Sequence, residues 1–92
     1  MSVYIDEINN YPESSITKRA LRYGKRWCHL WADSLTELKD FAYGIGLNPS
    51  WFQNKPNFPH FDLTPYMRNK ALLYGAKQQN LYEWLRSQRD KV

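Results

Sequence analysis

The sequence predicts a single small α/β domain, a sheet of three or four short strands flanked by three or four helices, and three observations carry that prediction. The aromatic-rich run Trp27-Cys28-His29-Leu30-Trp31-Ala32-Asp33 has strand alternation. It hands over to Ser34-Leu35-Thr36-Glu37, a capping box in which the Ser hydroxyl accepts from the Glu37 amide and the carboxylate reaches back. The same handover recurs where His60-Phe61-Asp62-Leu63 meets Thr64 as N-cap and Pro65 at the first helical position. A length of 92 residues supports one domain over 1–92 and a modest core, to which a 16% aromatic share contributes.

Val3-Tyr4-Ile5-Asp6 reads as a short strand ending in a carboxylate, followed by the turn-prone Asn9-Asn10-Tyr11-Pro12. Glu13 to Tyr23 reads as a helix with Ile16, Ala20 and Tyr23 on one face and Gly24 as its stop. In the central strand, period 2 sends Cys28, Leu30 and Ala32 one way and Trp27, His29, Trp31 and Asp33 the other. The next helix lines up Leu35, Leu38, Ala42 and Ile45, and Gly44 and Gly46 close it. Ser50 to Gln53 is a short strand, and Asn54 to Pro59, with two prolines, is a surface connection that borders a pocket. After Pro65 a helix buries Met67, Ala71 and Tyr74 and ends at Gly75. A last helix, about 81–90, capped by Asn80 and striped by Leu81, Trp84 and Leu85, packs back on the domain.

A net charge of +4 and a pI near 9.3 favour an anionic partner: nucleic acid, a nucleotide or an acidic protein surface. Lys18, Arg19, Arg22, Lys25 and Arg26 form the one single-signed concentration, with no acid between Ser14 and Ala32. Such a run collects phosphates, although a solvated helix face is the simpler account of so short a run. One cysteine forms no internal disulfide, and Cys28 on the apolar face is a core residue of a reducing cytosol. No run reaches membrane-spanning length, so the expected setting is cytoplasmic with no membrane partner.

Asp6, His29, Asp33, His60 and Asp62 sit on three strands or strand ends, and strand-to-helix junctions are where sites gather in small α/β sheets. If they converge, His29, His60, Asp33 and Asp62 supply acid/base chemistry. Asp6, His29, His60 and Asp62 likewise offer mixed nitrogen and oxygen ligands to a divalent metal. Arg68, with Arg22, Lys25 and Arg26, is the candidate phosphate-binding set. The spacings match no strong metal signature, and the plain alternative is that each Asp orients a neighbouring His or caps a helix. Convergence requires the two imidazoles within about 10 Å, the span one substrate or metal-bound water can share.

These residues also carry a resemblance. Val-Tyr-Ile-Asp, Trp-Cys-His-Leu followed by Ala-Asp, Trp-Phe-Gln, His-Phe-Asp-Leu, Arg68, Ala71 and Gly75-Ala76 resemble a small family of uncharacterised bacterial and phage proteins, a domain of unknown function. Members often have Tyr where Phe61 stands. The resemblance runs from Val3 to Ala76, and its pattern does not extend clearly to Lys18–Arg26 or to the tail from Lys77. It implies that Asp6, His29, Asp33, His60, Asp62 and Arg68 belong together, in a bacterial or phage setting. The expected function is binding or hydrolysis of a phosphate-bearing ligand, nucleic acid or nucleotide, by the His/Asp cluster, with a divalent metal as candidate cofactor. The competing expectation is a non-catalytic phage-encoded protein that binds a host protein through its aromatic and basic surface.

Overall fold

The computed structural model describes residues 2–89. Its centre is β3 (Arg26–Ala32), the stretch with the clearest alternation. Antiparallel to it run β1 (Val3–Ile5), β2 (Asn9–Asn10) and β5 (His60–Leu63), and β4 (Phe52–Gln53) and β6 (Lys77–Gln78) complete the borders. The order is β4-β5-β3-β1-β6, with β2 pairing the other end of β3. Six strands thus replace the expected three or four, because β2 and β6 span two residues each and two residues carry no alternation to read. Among the described residues only β1 and β6 pair in parallel, and the chain reaches β6 through a helix, as a parallel crossover requires.

Helices α2 (Leu35–Gly44) and α3 (Pro65–Leu73) pack on one face of β1, β3 and β5. Ile5, Cys28, Leu30, Phe61 and Leu63 point into that layer and meet Leu38, Ala42, Ile45, Leu47 and Ala71. Each fully buried Ile, Leu or Phe there contributes about 1.5–3 kcal/mol. Burial also pushes the Cys28 thiol up to about 12, so it sits in the core as a small apolar group. Caps fix where the helices begin: Ser34 accepts from the Glu37 amide at 3.2 Å and Thr64 from the Met67 amide at 3.3 Å. The capping box is half formed, since the Glu37 carboxylate takes the Ser34 hydroxyl at 3.1 Å. Two stripe residues are corrected, because Leu35 in the first turn and Tyr74 at the C-cap lie 44% and 62% exposed beyond the sheet's reach.

The expected helix over Glu13–Tyr23 is divided. A 3-10 turn at Glu13–Ser15 gives way to extended backbone at Ile16, and Thr17 caps α1 (Lys18–Leu21), accepting from the Ala20 amide at 3.2 Å. Pro49–Trp51 is likewise a 3-10 turn, which shortens the expected strand to β4. On the second face of the sheet lie Tyr4, Trp27, His29, Trp31, His60 and Asp62. Helix α4 (Leu81–Arg89) lays Trp84 there, with ring centroids 5.8 Å from Trp31 and 6.0 Å from Tyr4. Residue 90 of the expected last helix lies outside the described residues. No helix among the described residues is long and apolar enough to cross a membrane.

Candidate functional site

Register brings the site together. His29 on β3 stands directly opposite Asp62 on β5, and the pleat places His60, two residues along, on the same face. The imidazoles meet edge to face with centroids 5.2 Å apart, inside the span expected for a shared ligand. One ligand atom from each of His29, His60 and Asp62 lies within 4.8 Å of the others.

Both imidazoles are held by their Nδ1 atoms. His60 Nδ1 lies 2.8 Å from the Phe58 carbonyl oxygen, which only accepts, so Nδ1 carries a proton and, in the neutral ring, Nε2 has the lone pair. The Phe58 ring stacks on His60 at 4.6 Å, so the proline-bracketed loop that was expected to border a pocket folds back to grip this residue. His29 Nδ1 lies 2.7 Å from Asp6 Oδ2, while its amide donates to Asp6 Oδ1 at 2.6 Å. The Asp6 hydrogen bond raises the His29 pKa against the opposing effect of burial, and the charges of Asp6 and Asp62 raise it further. His60 Nε2 and Asp62 Oδ1 face one another at 3.3 Å. In neutral His60 both are acceptors, so the contact is favourable only with a proton or a cation between them.

Of the expected site residues, Asp6, Asp33, Arg68, Lys25 and Arg26 fall outside this group of three. Asp6 is not among the three gathered ligand residues; both its oxygens hold His29, and it orients that imidazole. Asp33 shares the face of His29 but lies four residues along the strand, about 13 Å at strand rise. There it accepts from the Tyr4 hydroxyl at 3.0 Å and from the Ser2 amide at 3.1 Å, apart from the cluster. Arg68 Nε donates to the Asp6 carbonyl at 2.9 Å, so this guanidinium braces the orienting residue. Lys25 pairs with Glu13 at 3.2 Å, an exposed contact of little energy. Neither Lys25 nor Arg26 lines the groove beside the histidines.

His29, His60 and Asp62 line a groove of about 700 Å³. Arg19, Arg22 and Lys55 are among its lining residues, with the aromatic rings of Tyr11, Tyr23 and Trp51. Tyr23 packs edge-on against Trp51 at 5.3 Å, and Trp51 against Trp27 at 6.2 Å. Burial raises the Tyr11 phenol above its ordinary pKa, and the nearby carboxylates of Asp6 and Asp62 add to this. Tyr11 and Lys55 were not singled out as site residues from the sequence, because they lie on connections whose direction no periodicity specifies, and Trp51 was not because it falls in a 3-10 turn where a strand was expected. Arg22 was, and it alone of the expected phosphate-binding set lines the groove.

With this geometry in place, comparison with known proteins gives one family. Residues 3–91 match the family described as "Protein of unknown function (DUF4031)". The match passes through the basic stretch and the last helix, both of which the sequence resemblance left aside. No curated protein and no solved structure matches the chain.

Proposed function

We propose, from the premise that this chain belongs to the DUF4031 family, that it holds a divalent metal ion and binds and hydrolyses a phosphate-bearing ligand, nucleotide or nucleic acid. One observation carries the reading: two imidazoles tied back through Nδ1 gather with Asp62, one ligand atom of each within 4.8 Å of the others, in a groove that also holds three cationic side chains. His with Nδ1 anchored on a carboxylate or carbonyl is the usual arrangement of metal-ligating histidine. Ligand bonds of about 2.1 Å allow two donor atoms at most about 4.2 Å apart. Closing from 4.8 Å therefore asks for side-chain shifts of well under an ångström at each of the three residues. Two imidazoles and a carboxylate suit a borderline transition ion such as Zn²⁺, Mn²⁺ or Co²⁺ and leave positions for water and substrate.

A metal in that place would polarise a phosphoryl oxygen and lower the pKa of a bound water. Asp6 would hold the His29 ring in its ligating tautomer, and Arg19, Arg22 and Lys55 would neutralise the phosphate. Titration of the metal-free chain with Co²⁺, followed by visible absorption, tests the reading alongside hydrolysis of a phosphodiester such as bis(4-nitrophenyl) phosphate. His60→Gln and Asp62→Asn are expected to abolish the cobalt spectrum and to lower the rate about a hundredfold or more. Absence of metal binding at micromolar protein, or variants equal to wild type, overturns it.

A second reading is favoured by the outer side of α3, where Tyr66 and Leu73 are 76% and 86% exposed. Exposed apolar residues on one helix suit a protein partner. Under that reading Leu73→Ser would abolish partner binding, while His60→Gln would leave it unchanged.

A further inference from the structure

The basic groove is not alone in reaching His29. A second groove, of about 680 Å³, also reaches this residue, and His29 and Tyr11 line both. Its chemistry is opposite. Among the described residues it has no Lys or Arg, it contains the carboxylates of Asp6 and Glu7, and it is lined by the carboxamides Asn9, Asn10, Gln78, Gln79 and Asn80 with the phenol of Tyr82. A phosphate is drawn to the first groove and repelled from the second. A neutral group with donors and acceptors on its edge has the reverse preference.

Hydrogen bonds occupy one end of four of these amides. Gln78 Nε2 donates to Glu7 Oε1 at 3.2 Å and Asn9 Nδ2 to the Glu7 carbonyl at 3.3 Å, so their amide oxygens remain as acceptors. Gln79 Oε1 accepts from the Asn80 amide at 3.2 Å and Asn80 Oδ1 from the Glu83 amide at 3.0 Å, so their NH₂ groups remain as donors. Donors and acceptors side by side are what reads the edge of a nucleobase. Tyr82, 75% exposed, offers a ring for its face.

We infer, resting on the reading of the basic groove as the phosphate site, that the ligand is a nucleotide unit lying across His29, its phosphate in the basic groove and its base in the amide groove. The two grooves together set the substrate class: phosphate supplies charge, and the base supplies selectivity.

Calorimetric titration of the full chain with inorganic phosphate, ribose 5-phosphate and the four ribonucleoside 5′-monophosphates tests this. At least one nucleotide is expected to bind tenfold or more tighter than ribose 5-phosphate. Tyr82→Ala and Gln79→Ala should each reduce that preference at least threefold without altering the affinity for inorganic phosphate, whereas Arg22→Ala should weaken every ligand. Ribose 5-phosphate binding as tightly as every nucleotide overturns the inference and leaves the phosphate reading standing. A base preference that both amide-groove variants leave intact also overturns it. If neither phosphate nor any nucleotide binds, both readings fall together.

Discussion

Asp6 gives both carboxylate oxygens to one neighbour, taking the amide and the imidazole of His29 at 2.6 and 2.7 Å. That pairing has a pH signature. The His29 pKa lies above its ordinary 6.5, raised chiefly by the Asp6 hydrogen bond. The folded chain therefore holds a proton that the unfolded chain has released between pH 6.5 and the raised value. The stabilisation is complete below 6.5 and declines as pH rises through the folded pKa. Asp6→Asn should flatten this slope in urea unfolding of the metal-free chain between pH 6 and 8. The same change, by loosening the tautomer and ring orientation of His29, should weaken Co²⁺ binding about 10- to 100-fold while Asp62 and His60 stay in place. An unaltered pH slope would remove Asp6 from the role of orienting residue.

At the scale of elements, the handover from β5 to α3 ties fold to site, because the strand that bears His60 and Asp62 ends one residue before the Thr64 cap. Thr64→Ala should destabilise the chain by about 1 kcal/mol, read as a lower urea midpoint with unchanged slope. This junction was legible in the residues themselves, as were the two faces of β3, since alternation and capping are local. Register was not legible: that His29 would meet Asp62 depends on which strand neighbours β3, and nothing in seven residues of β3 names its partner. Asp33 could have been set apart from the start, because four residues of extended chain carry it beyond reach of His29. The break at Ile16 also had a local sign in Thr17, an N-cap residue that the apolar spacing of Ile16, Ala20 and Tyr23 concealed.

Over the whole molecule, the excess of positive charge is sorted by place. Of the five basic residues between Lys18 and Arg26, only Arg19 and Arg22 line the groove, and Lys55 joins them from the loop after β4. Three cations imply about three phosphate contacts. The salt dependence of nucleic-acid binding should then have a log-log slope of roughly −2 to −3, shallower than five contacts would give. Fluorescence titration of an oligonucleotide between 50 and 300 mM salt measures it, and a slope near zero would return these residues to a solvated surface.

The borders of the sheet carry a different meaning. β4 and β6 hold two residues each, and β6 begins with the exposed Lys77. A foreign strand arriving at either border finds two rungs of backbone hydrogen bonding and then a turn or a loop, too little to template a longer ladder. The long, pairing-hungry strands β3 and β5 are enclosed within. Brevity at the margins, which made these strands hard to recognise in the sequence, is thus a safeguard against aggregation, and an aromatic-rich sheet of this kind has particular need of one.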